Sequence, residues 1–204
     1  MKEADMEMSK KSLYSVHPGV MMVQKWIAEL PEKTGRTLDE WIRLVKEEGP
    51  AEEKERREWL KANYHLGTNS AWWIAERAAG KGTEEDDPES YLMAAEKYVE
   101  AMYSGAKAGL RPIHDQLLKI ALKLGKDVKA CPCKTIVPLY RHHVFAQIKP
   151  ATRARIDLGF ALGRMETGGL AKGDRITHRI PVSSLTEIDE EVKHWLKVAY
   201  DLDA

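Results

Sequence analysis

Between Val144 and Phe160 the chain reads VFAQIKPATRARIDLGF, with apolar and polar residues alternating on both sides of a turn centred on Pro150. The first arm sets Val144, Ala146 and Ile148 on one face and Phe145, Gln147 and Lys149 on the other. The second alternates Arg153, Arg155 and Asp157 with Ala154, Ile156, Leu158 and Phe160. A two-residue side-chain period with one apolar face is what a half-buried antiparallel sheet requires. This stretch is the clearest strand pair in the chain, and the rest of the fold has to supply its neighbours.

The period of two begins after Gly125. It predicts strands near Val128–Cys131, Thr135–Tyr140, Val144–Lys149, Arg153–Phe160 and Arg175–Val182, with a glycine-rich loop from Gly163 to Gly173 before the last. Upstream the period is helical. A helix is expected from Val20 through Leu30, its regularity failing at Pro31 and Gly35. A second follows the capping box Thr37-Leu38-Asp39-Glu40, and a highly charged third spans about Ala51 to Asn63. The fourth carries Ala71, Trp72, Ile74, Ala75 and Ala78 on its core side. Asp87-Pro88 opens a fifth helix, another ends at Gly125, and Ser184-Leu185-Thr186-Glu187 offers a capping box for a closing helix. The reading is an α+β chain in which an N-terminal four-helix domain precedes a five-stranded, mainly antiparallel sheet packed against helices. Residues 1–19 read as a flexible lead-in, 20–80 as the helical domain, 81–87 as an acidic linker and 88–204 as the α+β domain.

Lysine plus arginine balances aspartate plus glutamate, 32 against 32, so net charge alone points to no partner. Its distribution does: residues 105–182 hold 15 basic and 5 acidic side chains, a strongly basic block inside a neutral protein. The two cysteines, Cys131 and Cys133, are not the framework of a small disulfide-built domain, and a reduced, cytoplasmic chain is expected. The N-terminus lacks the apolar core of a signal peptide, and no apolar run is long enough for a transmembrane helix.

Two stretches resemble known families. LPEKTGRTLDEWIRLVKEEGP followed by EWLKANYHLGTNSAWWIA resembles the domain of unknown function numbered 4287. AMYSGAKAGLRPIHDQL, HHVFAQIKPATRARIDLGFAL and GDRITHRIPVSSLTEIDEEVKHWLKVAYDLDA resemble the domain of unknown function numbered 5655. The resemblance supports the domain boundary and implies an accessory or binding protein, and it brings no catalytic residue to transfer.

The leading site candidate is the polar side of the sheet, where Lys149, Arg153, Arg155, Arg175 and Arg179 are expected to share one solvent-facing surface suited to phosphate. The same residues also describe an ordinary solvated sheet face. The last two helices of the first domain resemble a helix-turn-helix in outline, although Arg77 is the sole basic residue of the would-be reading helix. Cys131, Cys133, His142 and His143 are the right residue types for zinc, but CPC lacks the spacing of a knuckle, so no metal site is expected. His178 and Asp157 would make an acid–base pair if the fold joined them, with Tyr140 and Phe145 as walls of a pocket. No catalytic signature is present. The expectation is a non-enzymatic binding protein without a cofactor, whose partner is nucleic acid or another polyanion. The alternative is a protein-interaction or small-ligand module.

Overall fold

The computed structural model describes residues 12–163 and 176–204. Most of the lead-in, residues 1–11, and most of the glycine-rich loop, residues 164–175, lie outside them. The chain divides into two compact units: Val16–Ala94 is one, and Met1–Ser15 with Ala95–Ala204 is the other. Among the described residues there are seven α-helices and a five-stranded antiparallel sheet, an α+β chain.

The first unit contains α1 (Pro18–Thr34), α2 (Leu38–Glu48), α3 (Glu53–Tyr64) and α4 (Thr68–Ala78). Helix α1 continues one turn past Pro31, where the sequence pattern predicts failure. Proline loses its own N–H bond and crowds the carbonyl four residues back, a cost that the contacts of the last turn offset. Here Thr34 Oγ1 donates to Leu30 O at 2.7 Å and accepts from Trp41 Nε1 at 2.8 Å, and Gly35 closes the helix with φ 75°. The capping box of α2 forms as expected, and the Thr37 N–H and hydroxyl hold the Glu40 carboxyl below the usual carboxylate range. Leu30, Trp41, Val45, Leu60, Ala71, Ile74, Ala75 and Ala78 make the core. Trp72 is not among them: it is 42% exposed, with the Arg57 guanidinium 5.7 Å from its ring. The core side of α4 therefore runs through the small residues, which let α3 and α2 approach closely.

Arg77 on α4 is buried, and its partners come from the segment expected to be a linker. Its Nε and Nη2 donate to Asp86 Oδ1 at 2.9 and 2.6 Å, and Nη2 also donates to Gly82 O at 3.1 Å. The stretch 81–87 thus folds back on α4, through the short 3-10 turn Thr83–Glu85, to neutralise a charge that could not otherwise be buried. Helix α5 (Pro88–Met102) follows, capped by Asp87 Oδ1, which accepts from Glu89 N and Ser90 N at 2.9 Å each. The division between the units falls within α5, at Ala94 and Ala95.

In the second unit α6 (Arg111–Leu122) and α7 (Glu190–Leu202) pack with the sheet, whose strands β1 (Lys129–Ala130), β2 (Val137–Tyr140), β3 (Val144–Pro150), β4 (Ile156–Phe160) and β5 (His178–Val182) lie side by side in chain order. The cap predicted for α7 belongs instead to a 3-10 turn, Leu185–Glu187; the helix starts at Glu190, with Asp189 accepting from Glu191 N and Val192 N. The register Ile148–Leu158–Ile180 across β3, β4 and β5, flanked by Ala146–Phe160–His178 and Pro150–Ile156–Val182, builds the core face. Between β2 and β3 the register shifts: Tyr140 pairs with Val144 but Leu139 with Ala146, leaving Phe145 as an extra residue. A bulge of this kind re-aims a side chain. Phe145 and Ala146 are both fully buried, and the Phe145 ring meets Tyr200 edge-on at 5.7 Å. The lead-in also belongs here, since Ser15 N donates to Ala130 O at 2.8 Å along the edge strand and Tyr14 packs on the core.

Two buried polar side chains stand out in this core. The rings of Tyr103 and His114 lie 4.6 Å apart, and among the described residues the tyrosine hydroxyl and both imidazole nitrogens have no hydrogen-bond partner. Burial pushes the imidazole down to about 4.

Two predictions follow from these charges. Unfolded His114 binds a proton below about pH 6.5, whereas the folded ring resists one until about pH 4. Its contribution is complete above pH 6.5 and is lost as pH falls toward 4, on the order of 3 kcal/mol. Urea unfolding of wild type and His114→Leu at a series of pH values from 4 to 7 should show a gap in pH dependence of that sign. In the first unit, Asp86→Ala strands the buried Arg77 and should cost about 3 kcal/mol, read by tryptophan fluorescence during denaturation.

Candidate anion-binding cleft

An antiparallel sheet laid out in chain order has its turns at alternating ends. The β1–β2 and β3–β4 turns therefore share one end, whatever their sequences. The first is tight: Cys131 N donates to Pro138 O at 3.0 Å and Cys133 N to Ile136 O at 2.8 Å, which leaves Lys134 and Thr135 at its tip. The second is held by Thr152 N donating to Arg155 O and Ala154 N to Thr152 Oγ1, both at 3.2 Å, and carries Arg153. A 3-10 turn after α5, Gly105–Leu110, comes up to the same end, tied there by Lys107 Nζ donating to Pro150 O at 2.8 Å.

Between these three segments lies a cleft of about 540 Å³. Lys107, Lys134, Lys149 and Arg153 line it, with the hydroxyl-bearing Ser104 and Thr135 beside them, and among the described residues none of the lining is acidic. Lys134 also sits 6.0 Å from the centre of the Tyr98 ring. Four cations around one concavity raise the local potential and favour anions.

The basic residues singled out from the sequence do not all meet. Lys149 and Arg153 enter the cleft, although Arg153 lies in the turn and not in β4, which begins at Ile156. Arg155, just before β4, donates from Nε to Asp157 Oδ1 at 2.8 Å, and Asp157 stands across from Lys149 in the register. Arg179 is on β5, opposite Gly159. That glycine is covered, since a Cβ there would meet Ile176 Cγ2 at 2.6 Å and Gln147 Cγ at 3.0 Å. The polar side of the sheet is therefore not one continuous arginine surface, because an acid and a covered glycine interrupt it. Arg175 lies outside the described residues.

The proposed acid–base pair is not assembled. His178 pairs with Phe160 and Asp157 with Pro181, three residues apart along β4. An odd offset puts the two side chains on opposite faces, about 10 Å apart along the strand. His178 instead lies parallel to the Trp195 ring at 6.4 Å. Phe145 is core, not a pocket wall, and Tyr140 is half-buried at the end of β2. Cys131 is buried, and its thiol is pushed up to about 12 by desolvation. His143 turns to Asp203, with Nδ1 to Oδ1 at 3.0 Å and its backbone N donating to Oδ2 at 2.7 Å. Among the described residues no group of three or more His, Cys, Asp or Glu is placed to hold a metal ion. In the first unit, burial of Arg77 removes the basic residue that a reading helix would have needed.

Lys107 and Lys134 were missed by sequence reasoning. Both lie in the basic block, but in turns, where no periodicity ties one residue to another.

Family patterns agree with this division of the chain. The domain of unknown function DUF5655 matches residues 99–203, and the domain of unknown function DUF4287 matches residues 22–79. The chain belongs to the DUF5655 family. The cleft lies wholly inside the DUF5655 segment, since its lining runs from Ala101 to Arg153. No curated protein and no solved structure matches the chain. No helix among the described residues is long and apolar enough to cross a membrane.

Asp157 is the acid nearest in register to the lining, and its removal tests the electrostatic picture. Asp157→Asn releases Arg155 and should tighten anion binding about twofold to threefold at low salt, an advantage that fades as salt rises. Calorimetric titration with pyrophosphate would measure it.

Proposed function

We propose that this protein is a binding protein whose DUF5655 unit takes nucleic acid or another polyanion through the basic cleft at the β1–β2 and β3–β4 end of the sheet. The observation that carries the reading is the convergence of Lys107, Lys134, Lys149 and Arg153 on one concavity whose described lining holds no acid. Lysine supplies point charge, and arginine adds a planar donor fork suited to phosphate oxygens. Arg179, exposed on β5, would extend the contact for a ligand long enough to leave the cleft. A cytoplasmic setting fits a chain whose two cysteines, one residue apart, make no disulfide framework.

A second reading, a small-ligand or protein-interaction module, draws on another groove of about 540 Å³, between residues 13–14 and α6. Leu13, Leu118 and Leu122 make it more apolar than the basic cleft. A ligand held there would bind almost independently of salt.

Fluorescence anisotropy of a labelled single-stranded oligonucleotide, titrated at several salt concentrations, separates the readings. A strand that puts about two phosphates in the cleft should give a slope of log affinity against log salt of about −1.4, and the double variant Lys134→Ala/Arg153→Ala should bring it to about −0.7. Lys193→Ala, on α7 beside Glu190, should change nothing. No binding at low salt, or a slope that the double variant leaves intact, would remove the polyanion reading.

A further inference from the structure

The cleft holds more charge than a passing strand can use. A sphere of 540 Å³ is only about 10 Å across. Single strands carry one negative charge per phosphodiester, so a space of that size takes about two of them, against four cations in the lining. A phosphate monoester carries about −1.5 to −2 at neutral pH, and a chain of two or three phosphates carries more within the same space. Among the described residues the lining also lacks the carboxylate with which many phosphate sites hold a divalent cation. Lys107 is already anchored through Pro150 O, which fixes one ammonium at the wall and lowers the cost of ordering it around a ligand. Ala101, Ala106 and Ala151 keep the remaining wall small.

We propose that the cleft recognises clustered phosphate, a di- or triphosphate chain, in preference to the phosphodiester backbone of a strand running through it. This rests on the anion-binding reading above. The chemistry has two sources, a free nucleotide and the phosphorylated end of a strand.

The test uses the full chain in buffer without divalent cations. One labelled oligonucleotide is compared with a 5′-hydroxyl, a 5′-monophosphate and a 5′-triphosphate end, and inorganic tripolyphosphate and ATP serve as competitors against the hydroxyl-ended form. Clustered-phosphate recognition predicts that the triphosphate end binds at least fivefold tighter than the hydroxyl end, or that tripolyphosphate and ATP displace the strand at concentrations at least fivefold below those of inorganic monophosphate. Gain at the strand end identifies that source; displacement by ATP without such a gain identifies the free nucleotide. If neither margin reaches fivefold while the oligonucleotide still binds, the preference is overturned and the polyanion reading stands. If no anion binds, both fall. Lys149→Gln, at an exposed position and checked for an unchanged melting temperature, should shrink the preference at least threefold; an undiminished preference would place the clustered phosphate outside this cleft.

Discussion

The pairing of β3 with β4 is the interaction on which the second unit depends. Ile148 and Leu158 are fully buried and opposite each other, and with Ala146–Phe160 and Pro150–Ile156 they make a continuous apolar row at the centre of the sheet. Each large aliphatic or aromatic side chain so buried contributes about 1.5–3 kcal/mol. A slip of one residue would turn the whole row to solvent and bring Lys149 and Asp157 inside. Register is therefore strongly specified here, and β2, β5, α6 and α7 assemble against a face whose composition is already settled. The bulge at Phe145 adds a large ring to that face without disturbing the central pairing.

Function, on the reading given above, is a by-product of the same topology. Connecting five strands in chain order puts alternate turns at one end, and the chain loads two of those turns, together with the turn after α5, with cations. The strands need not know about one another's tips for this to happen. What the topology does not do is make the polar side of the sheet a single basic surface, because Asp157 and the covered Gly159 lie within it.

The first unit is organised on another principle. Its core is assembled from small residues of α4 against aromatic and aliphatic side chains of α1, α2 and α3, and it encloses one arginine. A buried guanidinium demands a carboxylate, and Asp86 supplies it from a segment whose acidity, taken as sequence, says linker. Local composition misleads here because a charged residue reads as solvent-exposed until a partner is seen.

Periodicity carried most of the fold. The four N-terminal helices, the closing helix and the hairpin of β3 and β4 are visible as repeats of 3.6 or 2, since burial on one face forces that repeat on any sequence that folds this way. Lys149 and Arg153 were legible as candidates for the same reason, being part of the alternating stretch from Val144 to Phe160. Tertiary structure alone decided which cations meet. Lys107 and Lys134 sit in turns separated from Arg153 by long stretches of chain, and no one-dimensional pattern links residues whose proximity is made by strand order. It also decided that Asp157 and His178 part company, since their faces depend on a register that neither strand's composition states. The sequence by itself thus determined which faces are buried, because water enforces that locally, and the fold determined which charges converge, because convergence is a property of the ends of the strands and not of their faces.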